Sequence, residues 1–219
     1  MSIIIDKDKR SGALKGIIMK GKTHAGVGVT ALICVADKMP GKLNYLGLVL
    51  VLAGSLLADI DHPKSIINKY ILPFKNKATK VTIYTCIGLL VLWYDYLHAG
   101  YSILKAVAAA FLIIAISTHR SGLTHSVAGM IMFSFIVGYI GNSYKMQYLV
   151  YYFMLGYGMH LVCDMMTNRG IPILYPFIEK RVKFPFAYKS NSKIGNMAEQ
   201  FIMIVGLVLA IYKFSMMFN

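Results

Sequence analysis

The chain has 219 residues, of which 57% are hydrophobic and 15% charged, with a formal net charge of +14. It is long enough for a sizeable core yet far too apolar for an ordinary soluble domain, so an integral membrane protein is expected. In such a protein basic residues report orientation and contact with anionic lipid before nucleic acid, and no aromatic and basic strip separable from membrane anchoring argues for a nucleic-acid partner.

Residues 1–22 form a basic extension with Lys7, Lys9, Arg10, Lys15, Lys20 and Lys22 among Asp6 and Asp8. It has no continuous apolar core, so it reads as neither a cleavable signal nor a span, and is expected to stay in the cytoplasm. Residues 23–219 then make one membrane-embedded domain. Apolar stretches run from Ala25 to Ala36, Leu43 to Ala58, Val81 to Leu97, Ile103 to Ser117, Ser126 to Ile140, Tyr148 to Met166 and Met197 to Phe214. Their lengths favour helices over strands. The fold class is therefore all-α, a polytopic bundle of about six or seven helices. Several stretches fall short of the ~20 residues that span a bilayer, and the first two, joined by Met39-Pro40-Gly41, are expected to be partial or shared. Cys34, Cys86 and Cys163 lie singly in apolar segments and read as reduced packing residues.

If successive helices reverse direction, the ionisable ends fall on one side. His24 begins the first stretch; Asp59, Asp61 and His62 end the second; His119 and Arg120 end the fourth and His125 begins the fifth; His160 and Asp164 end the sixth; Glu199 begins the seventh. The same side receives 18 of the 23 Lys and Arg, leaving Lys38, Lys42, Lys105, Lys145 and Lys213 opposite. By the positive-inside rule that face, with the N-terminus, is cytoplasmic. His98 and Asp95 fall on the other side.

Asp59-Ile60-Asp61-His62-Pro63 places two carboxylates and an imidazole at the end of an uncharged run, a costly arrangement unless they pair or bind something. Asp59, Asp61 and Asp164 also sit at helix C-termini, where the dipole disfavours an anion by roughly 0.3–1 kcal/mol each. A dication reverses that sign. His160 and Asp164 are four apart and share a helix face, a spacing that suits two ligands of one cation, although for this pair alone a packing hydrogen bond is the plainer reading. In His119-Arg120-Ser121-Gly122-Leu123-Thr124-His125-Ser126, Gly122 allows a turn, Thr124 or Ser121 can cap the next helix, and Arg120 can hold a phosphate or carboxylate. Mixed imidazole and carboxylate ligation suits zinc, with manganese or iron as alternatives, and the supply of ligands favours two or more ions. Ser65 to Phe74 can form a short interfacial helix. Ile171 to Lys189, rich in proline, aromatic and basic residues, is expected to anchor at anionic headgroups.

Asp59-Ile60-Asp61-His62-Pro63-Lys64-Ser65, His119 to Ser126, and Gly156-Tyr157-Gly158-Met159-His160-Leu161 with Asp164, Thr167, Gly170 and Leu174-Tyr175-Pro176 resemble the YdjM-like inner-membrane proteins, described as membrane-bound metal-dependent hydrolases. The resemblance covers roughly His24 to Phe201. It implies metal-ligand roles for Asp59, Asp61, His62, His119, His125, His160 and Asp164, with His24 and Glu199 where the family also has a His and a Glu. A remote likeness to zinc-dependent phospholipase C accompanies it.

The resulting expectation is a metal-dependent hydrolase at the cytoplasmic membrane face, acting on a phosphoester, plausibly of a lipid, through metal-activated water. Arg120 would stabilise developing charge and Glu199 or Asp61 would be the general base. A metal-ion or proton transporter and a non-catalytic metal-binding membrane regulator are the alternatives. Against transport, such sites usually lie near the bilayer midplane.

Overall fold

A computed structural model describes residues 20–98, 100–117, 122–190 and 192–218. Among these there are eight α-helices and no β-strand, only two isolated bridges, Thr167 with Tyr188 and Ile171 with Val182. The helices are α1 (Gly21–Val35), α2 (Tyr45–Leu57), α3 (Asn68–Ile71), α4 (Lys77–Leu97), α5 (Ser102–Ile116), α6 (Val127–Ser143), α7 (Leu149–Met165) and α8 (Lys193–Phe218). Seven of them coincide with the seven apolar stretches, and α3 falls within the Ser65 to Phe74 segment expected to form a short helix.

Local chemistry sets the starts. Asn44 Oδ1 accepts from Gly47 N at 2.7 Å at the head of α2, and Asn76 Oδ1 accepts from Thr79 N at 2.7 Å at the head of α4. At α6 the cap is Ser126, whose Oγ accepts from Gly129 N at 3.2 Å. Of the two caps offered by the sequence, Ser121 lies outside the described residues, and Thr124 lies in a 3₁₀ turn, Leu123–His125, where its hydroxyl turns to Asp61. Capping needs a side chain directly before the first helical residue, and the extra turn moves that position to Ser126.

Helix directions alternate as expected. α2 and α7 run parallel: a Cβ at Gly47 would meet Tyr152, one at Gly156 would lie 2.1 Å from Val51 O, and one at Gly54 would lie 2.4 Å from Phe153 O. Only glycine at Gly54 and Gly156 permits this approach of backbones. α1 and α8 are also parallel, with Lys20 against Asn196, Thr23 against Glu199 and Thr30 against Gly206. α4 and α5 are antiparallel, clamped by Lys80 Nζ, which donates to Ile114 O at 2.9 Å and Ser117 O at 2.7 Å. That buried ammonium satisfies carbonyls that the end of α5 leaves without an intrahelical partner.

α7 is the central element, burying Tyr152, Phe153, Gly156, Tyr157, His160, Leu161, Cys163 and Asp164. Phe153, Tyr157 and Leu161 join Tyr84, Ile114, Phe133 and Ile171 in the main apolar core. Outer surfaces are apolar too: Leu90 and Trp93 on α4, Phe135 on α6 and most of α8 are exposed. Contiguous apolar exposure on this scale suits hydrocarbon better than water. Among the described residues one helix, over Lys193–Met216, is long and apolar enough to cross a membrane by length and composition. The other helices vary in length: α4, at 21 residues, is about 32 Å long, whereas α2, at 13 residues, is about 20 Å, against a hydrocarbon core of about 30 Å.

Candidate metal centre

Four segments converge on one buried cluster. His24 comes from the first turn region of α1, Asp59 from the 3₁₀ turn Ala58–Asp61 after α2, His125 from the 3₁₀ turn before α6, and His160 with Asp164 from the last turns of α7. Asp59 is 6% exposed and the other four are 0% exposed. The His24 and His160 rings stack with centroids 4.0 Å apart, and the His125 ring meets His160 edge-on at 5.4 Å.

The spacing of polar atoms carries the argument. His125 Nε2 lies 3.2 Å from Asp164 Oδ2 and 3.5 Å from Asp59 Oδ1; His160 Nε2 lies 3.5 Å from Asp164 Oδ2 and 4.0 Å from Asp59 Oδ1; His24 Nε2 lies 3.6 Å from Asp164 Oδ1. Charge-assisted hydrogen bonds are shorter, about 2.7–2.9 Å. Two ligands each ~2.1 Å from a tetrahedral zinc stand about 3.4 Å apart, which falls within the observed range. Both nitrogens of His24, Nε2 of His160 and Oδ1 of Asp59 find no hydrogen-bond partner among the described residues. Buried polar atoms in native proteins are nearly always satisfied, so this concentration fits atoms that serve a cation. Two ligand groups emerge, His24 with Asp59 and His160, and His125 with His160 and Asp164.

Surrounding bonds orient the imidazoles. His160 Nδ1 is 2.7 Å from Ser55 O; a carbonyl only accepts, so Nδ1 carries the proton and Nε2 presents its lone pair to the cluster. Thr124 Oγ1 donates to Asp61 Oδ2 at 2.7 Å and sits 3.2 Å from His125 Nδ1. With its one hydrogen given to Asp61, the hydroxyl accepts from His125 Nδ1, which again leaves Nε2 facing the carboxylates. Tyr157 donates to Thr124 O at 2.6 Å and holds that turn. Asn68 Nδ2 donates to Ile60 O and His62 O, while Tyr84 donates to Asn68 Oδ1 at 2.6 Å, bracing the Asp59 turn.

The remaining expected residues are placed differently. Asp61 stands behind His125, 4.0 Å from its Nδ1, on the Thr124 side. His62 is half-buried; its Nδ1 accepts from Lys64 N at 3.2 Å, and it belongs to neither ligand group. Glu199 is buried, with Oε1 accepting from Ser190 Oγ at 2.9 Å and Oε2 from Thr23 Oγ1 at 3.3 Å. It too lies outside both groups. His119 and Arg120 lie outside the described residues, as does nearly all of the 1–22 extension. Asp95 pairs with Lys105 at 3.9 Å and His98 stacks on Tyr94, apart from the cluster as expected.

Residues that sequence reasoning missed are mainly braces: Ser55, Asn68, Tyr84 and Tyr157, whose bonds join positions far apart in the chain. Tyr188 is another. Its hydroxyl is buried without a hydrogen-bond partner among the described residues, and burial, then Glu199, Cys163 and Asp164, push the phenol above its ordinary pKa. Thr124 had a local signal, lying beside His125, but the signal pointed to capping.

No curated protein and no solved structure matches the chain. The model of the YdjM inner membrane protein family does match, over residues 19–219, and so the ordered Asp59, His125 and His160 motifs, now gathered in one buried cluster, sit in a chain that belongs to the YdjM inner membrane protein family.

Proposed function

We propose that this protein is a multi-pass, membrane-bound metal-dependent hydrolase whose site faces the cytoplasm and acts on a phosphoester of a lipid. The observation that carries the reading is the buried set of Nε2 and carboxylate oxygens at 3.2–4.0 Å, with His24, Asp59 and His160 atoms left unsatisfied by hydrogen bonds among the described residues. A divalent cation held there supplies a nucleophile from water at neutral pH and polarises a phosphoryl oxygen. Zinc fits this donor set best, with manganese or iron as alternatives. His24, Asp59, His125, His160 and Asp164 hold it.

Both ligand groups draw on His160, whose Nδ1 is committed to Ser55 O. One imidazole nitrogen serves one ion, so the described ligands form a single centre; a second ion requires His119 together with Asp61 or His62. Asp61 acts through Thr124 on the tautomer of His125. Glu199 is the better general base, because it lines a cavity of about 330 Å³ with Lys20, Thr23, Asn196, Gln200, Met203 and Ile204, through which a substrate can reach it. Arg120 stabilises developing negative charge.

Metal analysis of the purified protein, followed by a panel of phosphodiester and phospholipid substrates, tests the proposal. Bound transition metal, lost in His160→Ala and Asp59→Ala together with hydrolysis, is expected. Metal-free protein, with both variants behaving as wild type, sinks it. Metal bound without turnover on any substrate favours the regulator, and metal-driven flux in proteoliposomes favours the transporter.

A further inference from the structure

Two connecting segments leave the metal-cluster end of the bundle. Residues 62–76 run from the Asp59 turn to α4, and residues 167–190 lead from the end of α7 toward α8. Each is rooted in the main apolar core, the first by Leu72 and the second by Ile171. Backbone bonds fasten the second to the ligand-bearing elements: Phe184 N donates to Met165 O at 2.9 Å, Tyr188 N to Met166 O at 3.0 Å, and Val127 N, at the start of α6, to Ile173 O at 2.9 Å. Their aromatic tips nonetheless turn outward. Tyr70 is 88% exposed, Phe74 69%, Phe177 90% and Phe186 92%.

Charge accompanies the aromatics. Residues 62–77 hold Lys64, Lys69, Lys75 and Lys77 with no acid, and residues 171–189 hold Lys180, Arg181, Lys183 and Lys189 against Glu179, all of them exposed. At the far end of the bundle exposed aromatics recur at helix ends, with Tyr45 opening α2, Tyr96 in the last turn of α4 and Tyr144 closing α6. There the basic residues are isolated, as at Lys42 and Lys145, rather than clustered. Aromatic side chains gather at both membrane–water boundaries, and clustered Lys and Arg mark contact with anionic headgroups. Two aromatic girdles bracket the bundle, and the one at the metal end is the basic one.

Resting on the multi-pass membrane reading but not on hydrolysis, we infer that residues 62–77 and 171–189 form a platform that docks on the anionic headgroups of the leaflet at the metal end, with Tyr70, Phe74, Phe177 and Phe186 set into the headgroup layer. Each basic side chain near such a surface favours contact about fivefold. Because the platform is bonded to the end of α7 and the start of α6, it holds the Asp164 and His125 turns at a fixed height against the headgroups.

The test uses full-length protein in nanodiscs of phosphatidylcholine, with or without phosphatidylglycerol, whose acyl chains carry bromine as a fluorescence quencher. The single tryptophan, Trp93 of α4, reports on the outer surface of the bundle. Phe177→Trp and Phe186→Trp, each combined with Trp93→Phe, report on the platform, and at such exposed tips the exchange leaves the core intact. Both platform reporters should be quenched most by bromine close to the headgroup, and about twofold more when phosphatidylglycerol is present; Lys180→Ala with Lys183→Ala should remove most of that gain. Reporters reached by aqueous acrylamide but not by brominated lipid overturn the inference and make an acidic protein surface the occupant. Equal quenching in the two lipid mixtures also overturns it. No arm needs metal or turnover, so the result is independent of hydrolysis. Quenching of Trp93 without the platform defeats the inference alone; quenching of the platform without Trp93 removes the multi-pass reading and keeps the platform; quenching of neither removes both.

Discussion

The two ends of the parallel α2/α7 pair bury polar groups under opposite rules. At one end Tyr152 donates to Lys42 O at 2.5 Å, while Asn44 caps α2 and donates to Gly41 O and to the Tyr152 hydroxyl. Every polar group named there has a partner. At the other end, some two helical turns further along α7, His160 has one satisfied nitrogen and one that faces carboxylates at distances too long for strong hydrogen bonds. The same helix pair thus closes one polar network and leaves the other open. The difference teaches where to look for chemistry: burial of polar groups is common, whereas burial without completed bonding is costly and needs a ligand to justify it.

The comparison breaks most visibly at its open end. His160→Ala removes the one imidazole shared by both ligand groups, and metal affinity should fall by more than about 100-fold, read by metal content after dialysis against a chelator; retention of the ion would show that the cluster is a hydrogen-bonded core. Next in size, Gly156→Leu should destabilise the whole pair by ~3 kcal/mol or more, since its first side-chain atom lands on Val51 O; thermal unfolding with and without added metal would register it as a loss common to both conditions. Thr124→Val should lower metal affinity about 10- to 100-fold and cost the apo protein about 1–3 kcal/mol, because it takes the acceptor from the proton on His125 Nδ1 and the Thr124 donor from buried Asp61. Smallest, Tyr152→Phe at the closed end should cost about 1 kcal/mol of stability, with metal affinity unchanged. A Tyr152→Phe variant that lost metal would erase the distinction between the two ends.

Much of this arrangement was legible in the residues themselves. Continuous apolar stretches located seven helices, and alternation of their directions predicted that His24, Asp59, His125, His160 and Asp164 would share a face; the parallel α2/α7 and α1/α8 pairs follow that alternation. What alternation cannot supply is depth and rotation. His62 is adjacent to Asp61, yet a 3₁₀ turn directs its Nδ1 to Lys64 N, while Glu199 is held one step away by Ser190 and Thr23. The braces Asn68 with Tyr84, and Tyr157 with the Thr124 carbonyl, were invisible because hydrogen bonds between distant positions leave no periodic trace. Helix length was readable but not its use: the 13 residues of α2 are set by where Asn44 caps it and where the Asp59 turn ends it, not by bilayer thickness.

The gathering of ligands from α1 to the end of α7 also dictates an order of events during synthesis. His24 emerges first and Asp164 last, and at ~5–20 residues per second the interval between them is on the order of ten seconds. Through that interval His24 and Asp59 have no His160 beside them and no Ser55 carbonyl yet engaged by it. An ion held by this cluster would therefore enter late, after the sixth apolar stretch has joined the bundle, and a chain truncated before α7 would be unable to retain it however well its earlier helices had formed.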